Sequence, residues 1–164
     1  MYSVSFTGYR PAKLGFTGEG DPRCVKLRQM LSEAIAELVR QGADKFYTGM
    51  ALGVDTWCAL SVMELKKSYP EIGLYAVIPC PNQHERWSDC DKMRYRRIMD
   101  SCSDVICVSA SYTKDCMLQR NRALVDSCDL LLAVYDGKSG GTKYTVDYAN
   151  RCGKKVILIE PPSE

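Results

Sequence analysis

The feature that most constrains this chain is a set of short, continuously apolar runs alternating with helix-spaced segments. Leu74-Tyr75-Ala76-Val77-Ile78, Val105-Ile106-Cys107-Val108, Leu130 to Tyr135 and Val156 to Ile159 are apolar at successive positions. A strand with one wet face would alternate instead, so these runs fit strands of a parallel sheet buried on both faces. The stretches between them are long enough for the crossover helices that parallel pairing requires. In the clearest one, Leu27, Met30, Leu31, Ala34, Ile35, Leu38 and Val39 recur at helical spacing. Asp21-Pro22 supplies an N-cap and a first-turn proline, and Gly42 closes the helix. Further helices are expected from Trp57 to about Ser68, Asp91 to Ser101, Lys114 to Ser127 and Thr142 to Cys152, with a loop from Gly8 through Gly20. Strand and helix alternate to the end, without a repeat or linker. The expectation is an α/β protein with a mostly parallel sheet covered on both faces, a three-layer sandwich forming a single domain over residues 1–164.

The 164 residues are 46% apolar, ample for a full core, and carry 22 basic against 20 acidic side chains. A net charge of +2 gives no sign of a polyanion-binding surface, so nucleic acid is disfavoured as a partner. Nine cysteines occur with no Cys-x-x-Cys pair and a single histidine, His84. That argues against a zinc site, and no metal or other cofactor is expected. The odd count, with no apolar leader ahead of the first strand, fits reduced cysteines in the cytoplasm, with Cys58, Cys107 and Cys128 used as small apolar residues. No apolar run reaches transmembrane length, so no membrane is expected as a partner.

In open α/β sheets ligands bind beyond the carboxyl ends of the strands. Four loops expected there carry unusual residues: Thr7-Gly8-Tyr9-Arg10, Gly49 to Asp55, Ser109 to Arg122, and Asp136 to Thr142. The second, Gly49-Met50-Ala51-Leu52-Gly53-Val54-Asp55, joins the strand residues Phe46 and Tyr47 to a helix. Such a turn aims free backbone N–H groups and a helix dipole at one point, where a phosphate or carboxylate can be held. It is neither a Walker A loop nor the three-glycine dinucleotide fingerprint, and a tight βα connection without a ligand is the plain alternative. Gly53 is expected to face the phosphate. Arg10, Arg120 and Arg122 can neutralise an anion and Thr142 can donate a hydroxyl. Arg120 is expected to contribute to binding while costing little stability when removed. Pro79 to Trp87 is polar and proline-punctuated, like a loop or lid, and its Trp87 is the one tryptophan assigned a ligand role, whereas Trp57 reads as packing.

These residues resemble the YpsA-like branch of the SLOG superfamily, which also contains the Lonely Guy phosphoribohydrolases and DprA. The resemblance runs through Thr7 to Pro11, Thr48 to Asp55, Val77 to Cys80, Cys116 to Arg122, and Ala133 to Gly137 leading to Gly140-Gly141-Thr142. It implies a Rossmann-like fold and a pocket for a nucleotide or nucleotide-derived ligand of the ADP-ribose type. The implied ligand-binding set is Gly8, Tyr9 and Arg10; Gly49, Met50, Ala51, Gly53 and Asp55; Arg120, Asn121 and Arg122; and Asp136, Gly137, Gly140, Gly141 and Thr142. It also implies a sensor or regulatory role, the branch being linked to bacterial cell division and stress responses. A protein partner and homo-oligomerisation stay open.

The phosphoribohydrolases cleave a nucleoside monophosphate with an arginine from Met-x-x-Arg and a glutamate from Gly-Gly-x-Gly-Thr-x-x-Glu. Met117 places the first at Arg120, but the glutamate position is Thr145, which cannot stabilise an oxocarbenium-like centre. Asp147 should point elsewhere on the helix. The reading is therefore a binding protein rather than a catalyst. A phosphoribohydrolase using Arg120 with Asp55 or Asp136 is the alternative, and single-stranded DNA binding of the DprA type is the third.

Overall fold

The computed structural model describes residues 1–163. Its six strands are β1 (Tyr2–Gly8), β2 (Ala43–Thr48), β3 (Gly73–Ile78), β4 (Asp104–Cys107), β5 (Leu130–Val134) and β6 (Lys155–Ile159). They form one sheet in the order β4-β3-β2-β1-β5-β6, with every neighbouring pair parallel. The helices are α1 (Pro11–Leu14), α2 (Pro22–Arg40), α3 (Val54–Leu65), α4 (Asp89–Ser101), α5 (Cys116–Ser127) and α6 (Gly141–Arg151). The parallel α/β sheet expected from the alternating pattern, and the Rossmann-like fold that the resemblance implies, are those observed.

Strand pleating divides the interior in two. Leu130, Leu132 and Val134 of β5 join Val4, Phe6 and Phe46 in a large core under α2, α3 and α4. Leu131 and Ala133 turn the other way, to Val125, Val146 and Ala149 of α5 and α6. Successive β5 residues are therefore all apolar, because each face has its own core. In α2 the expected stripe faces inward, with Leu27, Leu31 and Ile35 fully buried. Its Asp21 cap accepts from the Arg23 N–H at 2.9 Å.

Three local expectations are corrected. The segment Gly8–Gly20 contains the one-turn helix α1, started by Pro11 and stopped by Gly15 in a left-handed conformation (φ 72°). One turn is too short for a hydrophobic period to reveal. β4 and β6 are edge strands, not buried ones: Val105, Ile106 and Cys107 of β4 and Leu158 of β6 are exposed, each strand having a neighbour on one side alone among the described residues. Cys107 therefore does not serve as core, whereas Cys58 and Cys128 do.

The chain runs outward from β1 to β4 and then returns to place β5 on the other side of β1. This makes β1 and β5 the switch point of the sheet, beyond which their loops diverge and leave a crevice.

Candidate functional site

A cleft of about 950 Å³ opens at that crevice. Its walls come from the loop after β1, the turn after β2 and the N-terminus of α6, with α5 and the β3–α4 connection opposite. The four loops picked out in the sequence meet here.

The turn after β2 holds itself rigid. Thr48 Oγ1 accepts from the Met50 N–H at 3.2 Å and donates to the Asp55 carbonyl at 3.0 Å, while Thr56 Oγ1 donates to the Ala51 carbonyl at 2.9 Å. Met50 is held at φ 60°, unusual for a residue with a side chain, and it is buried in the core. The Asp55 carboxylate accepts from the Ala51 N–H at 3.2 Å and is only 6% exposed. Burial pushes its pKa above the ordinary carboxylate value, against the opposing pull of Arg120, the Ala51 N–H and Arg10.

Arg120, 4% exposed, comes from α5 and donates through Nη1 to the Gly49 carbonyl and through Nε to Asn121 Oδ1 at 2.9 Å. Burial lowers its pKa and the Asp55 charge opposes that shift. Gly49 is glycine because of this pair. A Cβ there would lie 2.7 Å from Arg120 Nη1 and 2.8 Å from Asp55 Oδ2. Gln83 of the β3–α4 connection also donates to the Gly49 carbonyl, at 3.3 Å. Arg120 thus has a structural load that its place in a polar motif did not reveal.

Across the switch point, Tyr9 ties the loops after β1 and β5 together. Its hydroxyl donates to Asp136 Oδ1 at 2.6 Å and accepts from the Lys138 N–H at 3.0 Å and the Asp136 N–H at 3.3 Å. The bond from Tyr9 is the main cause holding the Asp136 carboxyl below its ordinary pKa. Asp136 is therefore engaged as a structural acceptor. Gly8 lets β1 approach α3, since a Cβ on it would meet the Val54 side chain at 2.6 Å.

At the end of the β5 loop, α6 begins at Gly141 with no side-chain cap on its N-terminal N–H groups. Thr142, 7% exposed, lines the cleft, and its hydroxyl has no hydrogen-bond partner among the described residues. Three residues on, Thr145 is fully buried and donates back to the Gly141 carbonyl at 2.8 Å. It does not line the cleft. Asp147 is on the outside, paired with Lys143 at 2.7 Å.

Of the sequence candidates, Gly8, Tyr9, Arg10, Ala51, Asp55, Arg120, Asn121, Gly141 and Thr142 line the cleft. Gly49, Met50, Asp136, Gly137 and Gly140 shape the loops behind it. Gly53 and Arg122 lie elsewhere. Gly53, at φ 89°, faces Pro11 and a separate hollow of about 180 Å³; a Cβ there would come within 2.9 Å of Pro11 Cδ. Its conformation and that contact explain the glycine. Arg122 is exposed and reaches Tyr144 at 3.3 Å.

Sequence reasoning missed Lys13, Gln83 and Arg86, all in the cleft wall. Only Lys13 had a local signal, the Pro11…Gly15 bracket around its helical turn. Trp87 also lines the cleft, edge-on to Tyr95 with ring centres 5.5 Å apart, and Tyr112 stands 70% exposed at the mouth.

The fold resembles two solved structures of DNA processing protein A. One, from Streptococcus pneumoniae, superposes with a TM-score of 0.67 at 16% identity, covering 100% of this chain and 51% of that one. The other, from Helicobacter pylori and described for its single-stranded DNA binding mode, gives a TM-score of 0.67 at 17% identity, over 99% of this chain and 66% of that one. This chain thus spans about half of the first protein and just under two thirds of the second. Among sequences, a UPF0398 protein of Bacillus pumilus (strain SAFR-032) is 30% identical over 91% of this chain and 82% of its own length. A UPF0398 protein of Bacillus cereus (strain B4264) is 27% identical over 94% and 85% respectively. The family model YpsA, described as the YspA SLOG family, matches residues 4–158. This chain is a member of the YspA SLOG family.

Proposed function

We propose that the cleft binds a nucleotide or nucleotide-derived ligand of the ADP-ribose type, and that the protein acts as a sensor rather than a catalyst. The supporting observation is the N-terminus of α6, uncapped and opening into the switch-point cleft beside Thr142, whose hydroxyl has no hydrogen-bond partner among the described residues. Free N–H groups, a positive dipole end and a hydroxyl donor are what a phosphate needs. Trp87 and Tyr112 line the same cleft and supply aromatic rings for a base.

The carboxylates argue against glycosidic cleavage. Stabilising an oxocarbenium-like centre requires a negative group facing it. Thr145 supplies none and is buried away from the cleft. Asp136 is bound to Tyr9 behind the cleft, Asp55 is held by Ala51 in the field of Arg120, and Glu85 of the cleft wall accepts from Asn82 at 3.3 Å. The biological use we propose for such a sensor is the regulatory role in bacterial cell division or stress response that the family resemblance implies.

The test is mass spectrometry of ligand released from the purified protein, alongside chromatography of free base after incubation with nucleoside monophosphates. The expected result is a phosphorylated nucleoside derivative and no base above background. Turnover by wild type that vanishes in Asp55→Asn or Asp136→Asn would establish the hydrolase instead.

Single-stranded DNA is a second reading, favoured by the Helicobacter pylori neighbour and by the Arg10, Lys13 and Arg86 side chains at a cleft with two aromatic residues. Anisotropy of a labelled oligonucleotide would support it only if binding weakened steeply with salt.

A further inference from the structure

We infer that Lys13, carried by the one-turn helix α1, is a phosphate-binding residue of the cleft and completes an anion socket with the N-terminus of α6. This rests on reading the cleft as a phosphate site, and it adds a residue from outside the loops that define that reading. Lys13 Nζ donates to the Ser139 carbonyl, in the loop that enters α6. It packs so close to Gly140 that a Cβ there would lie 2.6 Å from the ammonium. The ammonium also stands 5.0 Å from the centre of the Tyr9 ring.

The position beside α6 is electrostatically unfavourable, offset here by the Ser139 carbonyl and the Tyr9 ring. A helix N-terminus carries positive charge and favours anions, so a cation beside it is repelled. Neighbouring lysines have their own carboxylates: Lys138 meets Asp136 at 3.7 Å and Lys143 meets Asp147 at 2.7 Å. Lys13 meets none among the described residues. Two positive groups and the hydroxyl of Thr142, a residue 7% exposed, therefore border the same part of the cleft. An anion between them turns the repulsion into attraction on both sides. The ligand class is one with a phosphate or diphosphate group, and Lys13 need only leave a carbonyl to reach it.

The experiment titrates inorganic pyrophosphate, followed by 31P NMR, into wild type, Lys13→Met, Lys13→Arg and Lys138→Met. Lys13 is exposed, so its replacement should leave the fold intact, which thermal melts of each variant check. The expected result is binding weakened roughly tenfold or more in Lys13→Met, the scale of a hydrogen bond to a charged group. Lys13→Arg should restore most of it, and Lys138→Met should stay within about twofold of wild type. Equal affinity in Lys13→Met and wild type, equal losses in both methionine variants, or no binding by wild type would overturn the inference. AMP titrated in parallel separates this inference from the nucleotide reading. AMP bound equally by wild type and Lys13→Met removes Lys13 from the account and leaves the nucleotide. Pyrophosphate binding that requires Lys13, with no binding of AMP, keeps the socket and removes the nucleotide.

Discussion

The Gly49 carbonyl accepts the Arg120 guanidinium, and the missing side chain of Gly49 is what lets that guanidinium lie beside Asp55. Gly49→Ala should therefore act as overpacking at a rigid contact. The expected loss is about 1–3 kcal/mol of stability in chemical denaturation. Binding should weaken too, because Arg120 must move. A variant as stable as wild type would show that the guanidinium is free to shift.

Arg120→Ala should destabilise by about 1–3 kcal/mol at neutral pH, since it removes a buried charged donor from the Gly49 carbonyl and the favourable field of the guanidinium at Asp55. The sequence alone pointed to a small cost, and the burial of both groups reverses that expectation. The sign of the pH dependence follows from Asp55. Its pKa is raised by burial, so ionising it costs stability as pH rises, and loss of Arg120 enlarges that cost. Arg120→Ala should regain stability relative to wild type as pH falls from neutral to mildly acidic. Asp55→Asn added to Arg120→Ala should recover part of the loss, and strictly additive effects would show that the two groups are uncoupled.

Asp136 has the opposite sign. Tyr9 holds its pKa below the ordinary value of 3.8, so its stabilisation is present above that value and fades as pH falls through the lowered one. Asp136→Asn should be less stable than wild type at neutral pH, and the gap should close in acid. Denaturation curves from neutral to strongly acidic pH measure it; a constant gap would mean the loss is one of shape rather than charge.

Away from the cleft, Leu31→Ala should cost about 2–5 kcal/mol through a buried cavity while leaving ligand affinity unchanged. Leu31 is fully buried in α2, on the large core. Calorimetry beside urea unfolding checks both parts.

The fold was legible because the code for it is local and repeated. Continuous apolar runs such as Leu130 to Val134 name strands with a core on each face, and the stripe through Leu27, Leu31 and Ile35 names α2. The site was legible as four loops, since glycines and polar residues gather after each strand. What each residue does there was not, because that depends on contacts between distant parts of the chain. The bond from Arg120 to Gly49 spans 71 positions and the one from Tyr9 to Asp136 spans 127. Gly53 was misread for the same reason: its neighbour Pro11 lies in a segment that read as loop. β4 looked buried because its residues are apolar, and residue type does not reveal which strand lies at the sheet's edge.

The proposed ligand, a phosphate-bearing nucleotide, would sit on the N-terminus of α6 in the switch-point cleft. An amide-resolved NMR titration of the wild-type protein with AMP and ADP-ribose tests it most directly. The account predicts saturable shifts centred on the backbone N–H groups of Gly141 and Thr142, reaching Tyr9 and Gly49. The Trp57 indole, beside the separate hollow, should stay unmoved. No saturable shifts with either compound, or shifts centred on Trp57 with Gly141 and Thr142 unmoved, would contradict it.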